Sequence, residues 1–128
     1  MKYIIDTHVV IWINNNPEKL SKKVTEIINN EDNTLYISFA TFWEMAIKLN
    51  LKKLIISHSL EEFIKHNLKQ RNIKILPVYL KDILLIEKLP QLHKDPFDRM
   101  LIVQSVNTKY PIITSDKYIT QYKVKTIY

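Results

Sequence analysis

Residues 3–6 read YIID, a short apolar run that is followed at once by a carboxylate. A run of this length between polar residues indicates a buried strand. Farther along, apolar residues recur across residues 20–28 at the spacing of one helix face, which is typical of an amphipathic helix. A buried strand followed by an amphipathic helix is the repeating unit of an α/β fold. If this unit recurs along the chain, it predicts that fold.

The alternation of strands and helices continues to the end of the chain. Further strands are predicted at 35–38, 73–78, 111–114 and 124–127, and further helices at 39–54, 60–68, 80–89, 95–109 and 116–122. Right-handed crossovers between such strands give a mainly parallel sheet that is covered on both faces. The length of 128 residues fits one domain, so we predict a single α/β domain over residues 1–128.

The chain is basic, with a formal net charge of +6 and a pI near 9.4. This balance suits a polyanionic partner, and RNA, DNA or an acidic protein would all satisfy it. The sequence has no cysteine, which excludes disulfides and thiolate metal sites. No apolar run approaches the roughly 20 residues that span a bilayer, so we expect a cytoplasmic protein without a membrane partner.

The sequence also has no glycine. Phosphate-binding loops and dinucleotide fingerprints need glycine where the backbone approaches phosphate, so nucleotide-cofactor enzymes of these types are excluded. Left-handed backbone positions should then fall largely to asparagine, with candidates at 14–16, 29–30, Asn50 and Asn72.

Two aspartates stand directly after predicted strands. Asp6 follows the strand at 3–5, and Asp116 follows the strand at 111–114. Ligands of parallel sheets bind beyond the carboxyl ends of the strands, so both carboxylates are candidates for one crevice. Each also precedes a helix, where aspartate is a favoured N-cap, and this structural alternative remains open for either residue taken alone.

Glu44 is the only charged residue between Asp32 and Lys48, and apolar residues surround it in the sequence. A helix that is apolar all round should be buried. A buried carboxylate costs several kcal/mol unless it is paired. Glu44 therefore needs a cation, which is either a lysine or arginine or a metal ion.

The stretch HKDPFDRM, residues 93–100, contains two aspartates with different expected roles. Asp95 before Pro96 fits an N-cap followed by proline at the first helical position. Asp98 falls one turn before the apolar residues Leu101 and Ile102, on or beside the inward face of the helix. We predict that Asp95 caps the helix and that Asp98 carries the chemistry.

These considerations assemble four candidates for one acidic cluster: Asp6, Glu44, Asp98 and Asp116. Neighbouring carboxylates repel each other unless a multivalent cation neutralises them. Oxygen ligands without cysteine or paired histidines favour Mg²⁺ or Mn²⁺ over zinc. The histidines show no HExxH spacing. His8 could reach a substrate phosphate, but a surface or helix-packing role is expected.

An acidic metal cluster within a basic protein is typical of nucleases. The metal activates water and stabilises charge on phosphate, while basic side chains outside the crevice hold the polyanion. Lys94 and Arg99 flank the site as candidate phosphate contacts, and Lys48, Lys52 and Lys53 form a further candidate patch.

Four stretches resemble, in order, the motifs of PIN-domain ribonucleases, specifically VapC-type toxins of type II toxin–antitoxin modules. They are IIDTHVVIW (4–12), ISFATFWEMAIK (37–48), LHKDPFDRMLIVQS (92–105) and PIITSD (111–116). The resemblance extends to VKTIY at the end of the chain, and four motifs in order are more specific than any one of them.

This resemblance implies a three-layer α/β/α sandwich that cleaves RNA and leaves a 3′-hydroxyl and a 5′-phosphate. The four acids named above match the family residues that bind Mg²⁺ or Mn²⁺ and position the attacking water. Thr114 or Ser115 matches the hydroxyl that supports the cluster, with Thr7 and Asp95 as further supporting candidates. The resemblance also implies a homodimer that a cognate antitoxin protein silences.

Other classes of protein share parts of this pattern. A phosphoryl-receiver module also uses strand-end aspartates, but it would need an acidic pair after the first strand, where this chain has DTH. A catalytically silent PIN-like domain could bind only RNA or an antitoxin, and a PIN nuclease could act in RNA processing outside toxin systems. The presence of all four acids favours an active nuclease, and the small size favours the toxin.

Overall fold

A five-stranded parallel sheet forms the centre of the computed structural model, which describes residues 1–128. Its strands are β1 (Lys2–Ile5), β2 (Thr34–Ser38), β3 (Lys74–Leu76), β4 (Ile112–Ile113) and β5 (Thr126–Ile127). The order across the sheet is β3-β2-β1-β4-β5, and all four pairings are parallel. Strand β1 is central and buried on both faces, which explains its nearly continuous apolar sequence.

Six helices cover the sheet: α1 (Thr7–Asn15), α2 (Lys22–Asn29), α3 (Phe39–Asn50), α4 (Leu60–Gln70), α5 (Leu80–Ile86) and α6 (Pro96–Thr108). One face of β1 presents Ile5 to a core cluster that includes residues of α1, α2, α3 and α4. The other face presents Ile4 to a second cluster that includes Leu101 and Ile102 of α6. The predicted α/β/α sandwich with a parallel sheet is thus confirmed. None of the helices combines the length and the apolar character needed to span a membrane.

Several elements end at other residues than the sequence predicts, and two of these differences have a local cause in the backbone. Helix α3 ends at Asn50 instead of continuing to residue 54, because the backbone at Lys52 turns left-handed with φ 57°. The predicted helix at 116–122 is only a 3₁₀ turn at Ile119–Gln121. The Asp116 side chain accepts a hydrogen bond from the Tyr118 amide, which offers the backbone a local alternative to a helix.

Left-handed backbone occurs at three residues, Lys52, Asn72 and Lys109. The prediction is confirmed at Asn72 and wrong at the other candidate asparagines, since lysine occupies the remaining two positions. Lys109 ends α6 with φ 63°, and its amide donates to the Ser105 carbonyl. This conformation costs a residue with a Cβ about 1–2 kcal/mol. The entry of the chain into β4, which this turn allows, offsets that cost.

Candidate active site

Asp6 lies at the carboxyl end of β1 and is 2% exposed. Its Oδ2 accepts a hydrogen bond of 2.7 Å from the Thr114 hydroxyl, whereas Oδ1 is buried without any hydrogen-bond partner. Although Asp6 precedes α1, its side chain caps no amide of that helix. A buried carboxylate oxygen without a donor is costly, so the capping alternative does not explain this residue.

The charge on Asp6 is unfavourable where it stands. Burial raises the pKa of Asp6 above its usual value. The Thr114 hydrogen bond and the nearby His8 lower this pKa, but the negative charges of Asp116 and Glu44 raise it. Three of the predicted acids are therefore close enough to interact electrostatically.

Thr114 links two of these acids at the end of β4. Its hydroxyl donates to Asp6 and accepts a hydrogen bond of 3.0 Å from the Asp116 amide. Thr114 is 2% exposed, whereas the neighbouring Ser115 is exposed to solvent. Of the two hydroxyls implied by the family resemblance, Thr114 is therefore the one that lies within the cluster.

The two aspartates of HKDPFDRM have different hydrogen-bond partners, as expected if one is a helix cap and the other is not. Asp95 Oδ1 accepts hydrogen bonds from the amides of Phe97 (2.9 Å) and Asp98 (3.0 Å), which confirms that Asp95 is the N-cap of α6. Asp98 caps nothing, and its Oδ2 lies 2.8 Å from His93 Nε2. The catalytic role of Asp98 remains a prediction.

Asp98 holds its proton far more strongly than an ordinary aspartate. Burial raises the pKa of Asp98 to about 7, although its hydrogen bond with His93 acts in the opposite direction. The negative charges of Asp6, Asp95 and Asp116 add to the increase. Asp98 thus belongs to the same electrostatic cluster as Asp6 and Asp116.

Glu44 is 4% exposed and has a protein cation as its partner. Its Oε2 accepts a hydrogen bond of 2.7 Å from Lys48 Nζ, and its Oε1 lies 2.8 Å from the Thr7 hydroxyl. Burial lowers the pKa of Lys48, but the hydrogen bond and charge of Glu44, together with Asp95 and Asp98, raise it overall. Lysine, the structural alternative named from the sequence, thus accounts for the burial of Glu44, and Lys48 is not free for a phosphate patch.

His93 is a site residue that the sequence reasoning missed. Ligand atoms of His93, Asp98 and Asp116 all lie within 4.8 Å of one another, a spacing that could hold a metal ion. The His93 ring stacks on Tyr118 at a centroid distance of 4.8 Å and an angle of 6°. Histidine spacing gave no hint of this, because the position of His93 depends on contacts of its loop with Tyr122 and Arg99.

Arg99 corrects one sequence expectation. It is 6% exposed, and its guanidinium donates to the carbonyls of Ile86, Leu89, Pro90 and His93 and to the Tyr122 hydroxyl. These contacts hold the loop between α5 and α6, so the predicted phosphate contact at Arg99 is wrong. Lys94 is exposed beside the site and keeps that candidate role.

Large apolar side chains are exposed on two helices. They are Phe39 and Trp43 on α3 and Leu80, Ile83 and Leu84 on α5. Trp43 packs edge-on against Phe97 of α6, with ring centroids 5.2 Å apart, beside a cavity of about 320 Å³. Trp43 and Phe97 directly precede Glu44 and Asp98 in the sequence, so the helices that carry these acids also line the cavity.

Several solved structures share this fold over nearly the full length of both chains. A chain in the crystal structure of VapBC2 from Rickettsia felis, bound to a DNA fragment from the promoter, is 14% identical with a TM-score of 0.73 and covers 99% of this chain and 98% of that chain. DNA-bound VapBC from Salmonella typhimurium matches at 15% identity and TM-score 0.67, with coverage of 99% and 97%. VapBC-1 from nontypeable Haemophilus influenzae matches at 20% identity and TM-score 0.63, again with coverage of 99% and 97%. At these identities the likeness establishes the fold.

Comparison at the sequence level gives the family. No curated protein matches the chain. The sequence model of the PIN domain, however, matches residues 3–125, which include all the acids described above. A match over nearly the whole chain means that this protein belongs to the PIN domain family.

Proposed function

We propose that this protein is a metal-dependent endoribonuclease and the toxin component of a type II toxin–antitoxin module. PIN domains are generally nucleases. The observation that carries the proposal is the buried Oδ1 of Asp6. This oxygen has no hydrogen-bond donor, and the carboxylates of Asp116 and Glu44 are close enough to repel its charge. Such an arrangement suits a divalent cation, because the cation offsets both the desolvation cost and the mutual repulsion.

The donor set fits Mg²⁺ or Mn²⁺. Asp6, Asp98 and Asp116 would hold the ion, since carboxylate oxygens are the ligands that hard cations prefer. Both oxygens of Glu44 already have partners in Thr7 and Lys48, so its proposed contribution is to support the others and add negative charge. When bound, the ion supplies an activated water and stabilises charge on the phosphoryl group.

The remaining side chains position these acids and meet the substrate. The Thr114 hydroxyl and its bond to the Asp116 amide fix the relation between the ends of β1 and β4. Arg99 fixes the loop that leads into α6, and Asp95 fixes the first turn of that helix. Lys94 is exposed next to these residues and would contact an RNA phosphate.

A cognate antitoxin and a second copy of the chain are the proposed protein partners. The structures with the same fold are named as VapBC complexes, which supports an antitoxin partner for this chain. The exposed Phe39 and Trp43 beside an apolar cavity support a homodimer, because exposed apolar patches mark interfaces in soluble proteins. Sedimentation of the wild type and of Trp43→Gln would test the dimer: a monomeric wild type would contradict it.

Cleavage of a mixed pool of transfer and ribosomal RNA by the purified, antitoxin-free protein tests the proposed activity. The reaction is run with Mg²⁺, with Mn²⁺ and with EDTA, for the wild type, for Asp6→Asn and for Asp32→Asn. Asp32 is an exposed acid on a turn away from the cluster, so its variant is a matched control for the loss of one charge.

We expect discrete products that require the metal, that Asp6→Asn does not form and that Asp32→Asn forms normally. Binding of RNA without cleavage under every metal condition would contradict the nuclease and favour a silent module that binds RNA or an antitoxin. Activity without a neighbouring antitoxin gene would instead favour a PIN nuclease that acts in RNA processing.

A further inference from the structure

We infer that His93 is a nitrogen ligand of the divalent-ion site and that the site therefore favours Mn²⁺ over Mg²⁺ more than carboxylates alone would. The inference rests on the proposed function, because it concerns the same site. It adds a ligand of a different chemical class to a set that sequence reasoning assigned only to oxygen.

The spacing of the side chains matches neighbouring positions around an ion. His93 Nε2 and Asp98 Oδ2 are 2.8 Å apart. One ligand atom each of His93, Asp98 and Asp116 lie within 4.8 Å of one another. An octahedral ion with ligands at about 2.1 Å places adjacent ligand atoms about 3.0 Å apart. The buried Oδ1 of Asp6, which has no hydrogen-bond partner, independently indicates a cation at this cluster.

The His93 ring is held in place from several directions. Its face stacks on Tyr118, its backbone amide donates to the Tyr122 hydroxyl, and its carbonyl accepts from Arg99. The amide of Tyr118 also donates to Asp116 Oδ1, so one residue positions both the imidazole and a carboxylate. Restraint of this kind is what a ligand requires, since its geometry must be fixed before the ion binds.

A histidine could instead serve only to orient Asp98. A residue with that role donates to a carboxylate from the side away from the ion. Here a ring nitrogen of His93 lies within 4.8 Å of carboxylate oxygens of both Asp98 and Asp116, so the imidazole borders the space between the acids. Two atoms that both carry lone pairs can lie 2.8 Å apart only if a proton or a cation is shared between them, and a divalent ion would replace that proton.

The identity of the ligand atom has consequences for metal choice. Mg²⁺ strongly prefers oxygen, whereas imidazole nitrogen suits transition ions. An imidazole ligand should therefore contribute more affinity for Mn²⁺ than for Mg²⁺. Removal of the His93 imidazole should therefore weaken the binding of Mn²⁺ more than that of Mg²⁺, and so reduce the preference for Mn²⁺.

Titration calorimetry with MnCl₂ and with MgCl₂ on the purified protein, without RNA, tests the inference. The proteins are the wild type, His93→Gln and His66→Gln. Glutamine keeps an N–H group that can donate to Asp98 but has no imidazole lone pair. His66 is an exposed histidine of α4, so its variant controls for loss of a surface imidazole. Melting curves in EDTA show whether each variant folds.

We expect His93→Gln to lose about tenfold or more in Mn²⁺ affinity and clearly less in Mg²⁺ affinity, and His66→Gln to change neither. Equal losses for both ions, or no loss at all, would overturn the inference. Pulsed electron paramagnetic resonance of bound Mn²⁺ gives a second readout. We expect a ¹⁴N coupling in the wild type that His66→Gln retains, and its absence from the wild type would also overturn the inference.

These outcomes separate the inference from the proposed function. If the wild type binds both ions and cleaves RNA but His93→Gln keeps the wild-type affinity ratio, only the role of His93 is wrong. If the wild type binds neither ion, the proposed function fails together with the inference.

Discussion

The two edges of the sheet carry opposite charges, which are buried at the carboxyl edge and exposed to solvent at the amino edge. At the carboxyl edge, Asp6 and Asp98 are largely buried, and burial raises the pKa of each. At the amino edge, Lys109, Lys123 and Lys125 line an open pocket of about 230 Å³ and remain exposed to water. Both edges are charged, but only at the carboxyl edge do burial and repulsion raise the pKa values of the acids. Perturbed pKa values of this kind are typical of functional sites.

The largest effect should follow from removal of one charge at the carboxyl edge. Asp98→Asn keeps the shape of the side chain and loses a metal-binding charge, so we expect RNA cleavage to fall by about a hundredfold or more. Single-turnover cleavage at saturating Mn²⁺ measures the loss, and circular dichroism checks the fold. Wild-type activity in a folded Asp98→Asn variant would move the chemistry to another residue.

The negative charge of Asp98 should also reduce the free energy of unfolding when no metal is bound. The pKa of Asp98 is about 7 in the folded protein and near 3.8 in the unfolded chain, so the folded state binds more protons between these values. The free energy of unfolding therefore decreases as the pH rises from about 4 to 7. Asp98→Asn removes this decrease, and after allowance for solvent screening we expect the variant to be about 1–3 kcal/mol more stable at pH 8.

Urea denaturation in EDTA at pH 4.5 and pH 8 measures this difference. Because Asp6 and Asp98 repel each other, the difference between the two proteins measures the cost of the Asp98 charge together with its repulsion of Asp6. Parallel dependence on pH in the two proteins would mean that Asp98 is not under electrostatic strain.

A neighbouring aspartate at the same edge should respond quite differently. Asp95 accepts two amide hydrogen bonds as the N-cap of α6, and asparagine is an equally good cap. We expect Asp95→Asn to retain most of the cleavage activity, and Asp95→Ala to lose about 1 kcal/mol of stability. Cleavage assays and urea denaturation of both variants measure these effects. Loss of activity in Asp95→Asn at unchanged stability would place Asp95 among the functional acids.

Local rules of chain geometry explain what the sequence could and could not predict. The cap at Asp95, the strand end at Asp6 and the need of Glu44 for a cation all follow from neighbours in sequence. Lys48 is the i+4 neighbour of Glu44 on α3, so that cation could also have been chosen from local spacing. The burial of Arg99, in contrast, depends on packing between distant elements. His93 joins the site because Arg99 and Tyr122 fold its loop back onto α6, a contact that no periodicity encodes.

At the amino edge, the only strain lies in the backbone of Lys109. Its φ of 63° is costly for a residue with a Cβ and free of strain for glycine. We expect Lys109→Gly to increase the free energy of unfolding by about 0.5–1 kcal/mol, and Lys109→Ala to give no such gain. Urea denaturation compares the two variants. Equal stabilisation by alanine would show that repulsion between the lysines is the cost, and the amino edge would then resemble the carboxyl edge.

The smallest effect should come from the solvated charges themselves. Lys123 and Lys125 are exposed on the edge opposite the acidic cluster, so the double variant Lys123→Gln/Lys125→Gln should change cleavage by less than about twofold at physiological salt. The measurement that decides is RNA affinity as a function of salt, because each phosphate contact that is lost reduces the slope by about 0.7–0.9. An unchanged slope means that the net charge of +6 does not by itself locate the substrate. A slope that falls by the value expected for two contacts would mean that RNA reaches both edges of the sheet. The solvated lysines at the amino edge would then contribute to RNA binding as well.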